Sequence, residues 1–461
     1  MQEITIKNIL EATKGKLIIG NETDICVNFS KDTRTINQGD TYIGIKGESF
    51  NGNVYWKQAL EKGAKTVIIE GIDFSLENIN MYIDKNVILV EDTLKSLYEI
   101  AKFKRNLYNI PVIAITGSVG KTSTKDIIAS IVSKKYKTLK TEGNNNNNIG
   151  LPFTILRLKD EKAMVLEMGM NHLGEIKLLS EIAKPTIAII NNIGTAHIGN
   201  LGSRENILKA KLEILEGMEK GTLIINNDND LLHSYKETNK NIKILRFGID
   251  NSSDINANNI ELEQEKSSFI CEIYGKEENI LVPITGKHFV LNSLAGILVG
   301  KELEIKNTDI ISAIKEFSLT KKRMDIYNLE CGVKIINDAY NASFESMKAS
   351  LEILGNYNNS RKIAILGDMF ELGEFADDIH RNVGNIVANE KIDILLCTGE
   401  KSKYIVESAK KLGIKCIYVN SKEEIIEKVM EIKTNNDVIL IKASNGMKFY
   451  EIAENLKRRL V

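Results

Sequence analysis

Short apolar runs alternate with longer amphipathic stretches along most of the chain, most clearly over its later part. Val112 to Thr116, Met164 to Met168, Ile187 to Ile190 and Leu223 to Ile225 are too short for buried helices and show no polar alternation, which predicts strands covered on both faces. Between them, Lys121 to Val132 and Ile207 to Glu216 place apolar residues at helical spacing. Strand and helix in this order build βαβ units and one open, largely parallel sheet. A second series, Ile363 to Leu366, Ile394 to Cys397 and Val438 to Lys442, follows the polar, basic segment Leu319-Thr320-Lys321-Lys322-Arg323, where a domain boundary is expected. The opening stretch is richer in Gly and Asp/Asn turns, with strands at Thr66 to Glu70 and Val87 to Val90, and reads as a smaller α/β unit. The predicted fold class is therefore α/β in three domains, over residues 1–90, 91–319 and 320–461. A length of 461 residues agrees, at roughly 150 per domain.

Composition narrows the function classes. Lys plus Arg (61) and Asp plus Glu (62) nearly cancel, which argues against a general nucleic-acid or anionic-membrane surface. The five cysteines are dispersed and never spaced Cys-x-x-Cys, so neither a disulfide framework nor a zinc site is expected. No basic segment followed by an apolar run opens the chain, and no uncharged apolar stretch reaches the roughly 18 residues of a membrane span, so a cytoplasmic protein without membrane insertion is expected. No long apolar seam demands a partner, which makes a monomer the expectation.

The densest chemistry lies at Thr116-Gly117-Ser118-Val119-Gly120-Lys121-Thr122, directly after one apolar strand and opening a helix. That context suits a phosphate loop: glycines let backbone N–H groups turn toward phosphate oxygens, and the helix N-terminus adds positive potential. Lys121 can reach the outer phosphates, and the Thr122 hydroxyl can ligate magnesium. Such a loop calls for a neighbouring strand that ends in a carboxylate, and Glu167 in Met164-Val165-Leu166-Glu167 supplies it. His197 follows another apolar strand, at the edge where open α/β sheets bind ligands. Lys211 lies within a helical stretch, where its composition alone assigns it no role beyond a solvated face. The run Asn144 to Asn148 reads by itself as a solvated loop.

Taken together, these residues resemble the Mur ligase family, ATP-dependent amide-forming enzymes of peptidoglycan synthesis, whose phosphate loop has the shortened T-G-[ST]-x-G-K-[ST] form. Thr141 to Pro152, Glu167 to Glu175, Asp338 to Met347 and Leu366 to Glu374 are similar to the branch that joins D-alanyl-D-alanine to UDP-N-acetylmuramoyl-tripeptide. The resemblance implies a central P-loop-type parallel-sheet ATPase domain, a small N-terminal UDP-binding domain and a C-terminal Rossmann-like domain. It implies that Thr116, Gly117, Ser118, Gly120, Lys121 and Thr122 bind the phosphates of ATP, with His288 and Asn292 on the adenine side and Arg323 and Asp338 approaching phosphates and ribose. Of two magnesium ions, one would be held by Thr122 and Glu167. The second would be held by His197 and by Lys211, carrying CO2 as a carbamate. Lys121, Lys211, His197 and Arg323 would then serve catalysis, while Asp32, Arg34, Lys46, Asn145, Asn146 and Asn341 would meet the substrates. Departures from the family pattern occur at Asn51-Gly52-Asn53 (usually D-G-H), at Phe344 (usually Pro) and at Asn445, where the late K-G-S-R carries Arg.

The implied chemistry is activation of a carboxylate as an acyl phosphate, followed by attack of the dipeptide amine, with domain closure completing the site and excluding water. The nearest rival is a sister ligase that adds the third amino acid. A nucleotide-binding regulatory module that has lost ligase activity is a rival of another class.

Overall fold

The computed structural model describes residues 3–47, 50–71, 82–319 and 323–460. Thr320, Lys321 and Lys322 of the expected boundary segment lie outside the described residues.

The centre of the molecule is a seven-stranded parallel sheet, ordered from one edge to the other as Ile255–Asn256, Ile242–Gly248, Gly221–Asn226, Ile187–Ile190, Val112–Thr116, Ala163–Glu167 and Thr138–Lys140. Val112–Thr116, Ala163–Glu167 and Ile187–Ile190 are buried at every residue, as the absence of polar alternation predicts for strands sandwiched between helices. From Val112–Thr116 the chain first runs to the Thr138–Lys140 edge, returns through Ala163–Glu167, and then crosses to Ile187–Ile190 on the other side. The strand order therefore reverses at Val112–Thr116, and the carboxyl ends of the strands beside such a reversal open a crevice.

Ahead of this sheet stands a six-stranded mixed sheet containing Ile25–Ser30, Asp40–Ile43, Thr66–Ile69 and Asn86–Leu89 in parallel, flanked by the antiparallel strands Ile4–Thr5 and Lys16–Ile19. After it comes a six-stranded sheet in the order Asp325–Asn328, Lys334–Asn337, Asp437–Lys442, Arg361–Leu366, Ile394–Cys397 and Lys415–Tyr418, parallel except for the first pair. A three-stranded antiparallel sheet, Asn258–Leu262, Ser267–Ile273 and Lys276–Val282, is an addition that no apolar run marks in the sequence. Its second hairpin closes through Tyr274 and Gly275, with φ of 49° and 76°, the left-handed pair a two-residue turn needs to follow strand twist.

The expected α/β architecture is thus present. The helix Lys121–Ser133 starts at the predicted residue, whereas the predicted helix over 207–216 runs earlier, as Arg204–Leu212 with a 3-10 turn at Glu213–Leu215. Ser203 explains that start, since its side chain accepts from the backbone N–H of Asn206 and caps the helix. Among the described residues, no helix is long and apolar enough to cross a membrane.

Candidate functional site

The crevice at the strand reversal is a cleft of about 630 Å³, within the usual range for a small-ligand site. Its walls come from the central sheet and from the last sheet: Lys121, Thr122, Glu167 and His197 face Arg323, Asp338, Asn341 and Glu371.

The phosphate loop is held from beneath by the turn after Ile187–Ile190. Ser118 N–H donates to Asn192 O at 3.1 Å, Val119 N–H to Asn192 Oδ1 at 3.0 Å, and Ser118 Oγ accepts from Gly194 N–H at 2.9 Å. Thr116 Oγ1 donates to Met168 O at 3.0 Å, tying the loop's first residue to the strand of Glu167. Gly120 precedes the helix with φ of 81°, a conformation that costs a residue with a side chain free energy but not glycine. Its position faces the Asn292 amide, whose Nδ2 is buried without a hydrogen bond among the described residues, so Asn292 reaches the loop from the helix Lys287–Glu302, and His288 lines the same cleft. Burial holds the His288 ring down to about 4, against the pull of Asp338, so the imidazole is neutral near pH 7.

Lys121 folds back on its own loop, donating to Gly117 O at 2.8 Å and Ser118 O at 3.5 Å. Burial lowers its pKa; the Glu167 carboxylate opposes that shift and the Arg323 guanidinium adds to it. Arg323 stacks over the Tyr340 ring at 4.1 Å, and its buried Nε lacks a hydrogen bond. Two cations held near each other with spare donors suit an anion, whose charge would offset their mutual repulsion.

Glu167 is 2% exposed and takes two charge-assisted bonds, from Thr122 Oγ1 at 2.8 Å and Asn146 Nδ2 at 2.8 Å. The hydroxyl and carboxylate oxygens side by side are hard donors of the kind magnesium takes, with phosphate and water oxygens completing its shell. Among the described residues, no three His, Cys, Asp or Glu side chains converge as a ready-made metal cage. His197 has φ of 65°, and its Nδ1 lies 2.5 Å from Glu371 Oε2. Nδ1 is thus turned to Glu371, which leaves Nε2 as the ring nitrogen available to another partner. The contact with His197 holds the Glu371 carboxyl below its usual range.

Lys211 is 1% exposed and forms no ion pair among the described residues. Burial drives its pKa far down, and the charge of Lys121 adds to the shift. The exposed helix face expected from composition alone is therefore wrong for this residue: its amine is buried, does not line the cleft, and is pushed toward the neutral form, the form that can add CO2.

The last sheet closes on the central one through the turn at Thr195–Gly199. Glu345 accepts from Thr195 N–H at 2.7 Å, and Glu371 O accepts from Gly199 N–H at 3.0 Å. Gly199 faces the Leu372–Gly373 peptide so tightly that a Cβ there would lie 2.4 Å from Gly373 N. Asp338 is fixed by Ser350 Oγ at 2.7 Å and by the Lys442 ammonium. Asn445 bonds Tyr340 O through Nδ2 at 2.8 Å and donates its N–H to Asn341 Oδ1 at 3.4 Å, so the residue found where the family carries Arg anchors the Asn341 turn.

Asn146 and Asn341 line this cleft, whereas Asn145, Asp32, Arg34 and Lys46 do not. Arg34 and Asp32 pair with each other on the surface at 2.7 Å, and Lys46 is exposed on the N-terminal sheet's rim. Glu345 and Glu371 escaped the sequence reading. Both stand inside stretches that carry the family resemblance, but nothing local marks either one as reaching across the molecule.

Comparison with known proteins gives a consistent picture. Residues 28–105 match the Mur ligase family catalytic domain, 115–300 the Mur ligase middle domain, and 322–445 the Mur ligase glutamate ligase domain. The UDP-N-acetylmuramoyl-tripeptide--D-alanyl-D-alanine ligase of Bacillus subtilis (strain 168) is 38% identical over 459 residues, 98% of either chain. A crystal structure of MurF from Acinetobacter baumannii superposes with a TM-score of 0.89 at 27% identity, covering 99% of each chain. The MurF ligase of Thermotoga maritima, solved with ADP, gives 0.82 at 26% identity over 94% of this chain and 98% of that one.

Proposed function

The chain belongs to the Mur ligase family, and we propose that it is the ATP-dependent ligase that joins D-alanyl-D-alanine to UDP-N-acetylmuramoyl-tripeptide, releasing ADP and phosphate. The observation that carries this reading is full-length identity to ligases of that one specificity, combined with a single cleft in which Lys121 and Glu167 meet Arg323 and Asp338.

A carboxylate in water does not expel hydroxide to form an amide. The tripeptide carboxylate instead attacks the γ-phosphorus of ATP, giving an acyl phosphate and ADP; the dipeptide amine then attacks the acyl carbon, and phosphate leaves with the former carboxyl oxygen. Lys121 leaves its own loop carbonyls for the outer phosphates, and Arg323 directs its unused donors at the same oxygens, so charge that builds up on the transferred group is met by cations already in place. Thr122 and Glu167 would hold one magnesium ion, and His197 through Nε2 a second with Lys211, once that amine has exchanged a proton for CO2 to become a carbamate. Magnesium bound there supplies charge neutralisation for the phosphate oxygens. His288 and Asn292 face the adenine side, and Asp338 the ribose. Asn145, Asn146 and Asn341 serve the peptide substrates, while Asp32, Arg34 and Lys46 hold the uridine diphosphate end. The bounds 1–90, 91–319 and 320–461, a monomeric state and a cytoplasmic setting, where ATP and a nucleotide-linked precursor are at hand, complete the proposal.

The test is product mass and phosphate release with ATP, magnesium, UDP-N-acetylmuramoyl-tripeptide and D-alanyl-D-alanine, each omitted in turn. A product heavier by the dipeptide less water, dependent on every component, is expected. Turnover of the dipeptide-bearing precursor with a single amino acid would refute the reading.

A further inference from the structure

His380, on the helix Ala376–Asn389, is fully buried and does not line the cleft. Both of its ring nitrogens are nonetheless engaged. Nδ1 lies 2.6 Å from Ala376 O, which can only accept, so Nδ1 carries the proton; Nε2 accepts from Met369 N–H at 3.0 Å. One ring thus joins the start and the end of the loop from Met369 to Ala376. Within that loop, Phe370 N–H donates to Ser444 Oγ at 2.8 Å, and Glu371 takes a left-handed backbone, φ 63°. A non-glycine residue at such an angle persists only where its surroundings over-determine it. From there, Glu371 O accepts Gly199 N–H and its carboxylate meets His197. Around the ring, Asp368, Asp377 and Lys401 are the charged groups near enough to act on it. Burial is the main influence and favours the uncharged ring that this bonding pattern requires.

We propose that His380 is a positioning residue for the ligase reaction: by accepting from Met369 N–H and donating to Ala376 O, it holds the Met369–Ala376 loop in the shape that presents Glu371 to His197. The inference rests on the reading of His197 as part of the reaction site. His380 touches neither ATP nor the peptides; it sets the angle of a carboxylate that in turn orients a histidine of the opposing domain.

His380→Leu keeps bulk and removes both bonds, while His380→Gln keeps an acceptor near the position of Nε2. Each variant of the full chain is compared with wild type by amide hydrogen exchange, ADP binding and steady-state kinetics. In His380→Leu, exchange is expected to rise in 369–376 and also in 195–199, ADP affinity to stay within about twofold, and kcat to fall about thirtyfold with KM for ATP little changed. His380→Gln recovers most of that loss. Added to Glu371→Gln, His380→Leu should cost little more, because both remove one linkage. Unchanged exchange at 195–199 in His380→Leu, or fully additive losses in the double variant, overturns the proposal. Should His380→Leu not fold, the same exchange and additivity criteria are read from His380→Phe against Glu371→Gln, since Phe keeps a ring and removes both bonds. Wild-type protein without ligase turnover would defeat the functional reading alone, because exchange at 195–199 still decides the positioning role.

Discussion

The two ends of the expected substrate path are built differently. Around the phosphate loop, the candidate side chains are buried or half-buried, and several are cross-braced: Glu167 by Thr122 and Asn146, Ser118 by Gly194, Asp338 by Ser350 and Lys442. At the N-terminal sheet, the exposed Arg34 side chain pairs with that of the half-buried Asp32, and Lys46 faces solvent. The difference matches what the proposed function asks of each end. Phosphoryl transfer depends on charges fixed in advance, whose solvation has been given up on folding. Holding a nucleotide far from the reacting atoms requires only affinity, which flexible surface groups can supply.

Four substitutions would break or sharpen that contrast. Lys121→Ala should lower phosphate release about a thousandfold while the melting temperature stays put, because Lys121 bonds only carbonyls of its own loop. A large drop in melting temperature would recast Lys121 as a structural brace. Lys211→Met should cost about a hundredfold in turnover yet stabilise the fold by about 1 kcal/mol at neutral pH, since a buried, unpaired amine is replaced by an apolar chain. The sign has a pH signature. Because the folded pKa lies below the ordinary 10.5, the folded chain binds fewer protons than the unfolded one, so wild-type stability rises toward pH 10.5 and the gain from Lys211→Met shrinks over the same range. Denaturant titrations at several pH values would reveal a missing slope.

Arg34→Ala should raise KM for the UDP-linked substrate about tenfold, with kcat and melting temperature unmoved. An equal loss in kcat would place Arg34 in the reacting assembly and erase the contrast. The smallest effect concerns His288. Its folded pKa of about 4 lies below the ordinary 6.5, so stability is lost as pH falls from 6.5 to 4 while the unfolded chain takes up the proton. His288→Gln should flatten that part of the acid limb in thermal melts; an unchanged limb would show that the ring is not held neutral.

Much of the central domain was legible because its signals are local. Val112–Thr116, Ile187–Ile190 and Ile394–Cys397 were delimited to the residue by apolar runs alone, and a strand, a glycine-rich turn and a helix announced the phosphate loop. The antiparallel sheet at 258–282 was not legible, since strands such as Lys276–Val282 carry charges on an open face. Lys211 needed the family resemblance, because burial of a helical lysine depends on what packs over it rather than on its neighbours in sequence. Glu345 lies 150 residues from Thr195, and no pattern within a helix or strand records a contact across that separation.

Gly199 and Gly373 meet where the central and C-terminal domains come together, with no side chain from either residue between them. Such a seam has a manufacturing tolerance smaller than one methyl group. Neighbouring surfaces joined through long side chains can drift apart over evolutionary time and be repaired by a rotamer change; backbone laid against backbone has no such slack. The two domains are therefore bound to a shared inheritance at this point. A hybrid that takes its final third from a distant relative can fold in both halves and still fail to shut.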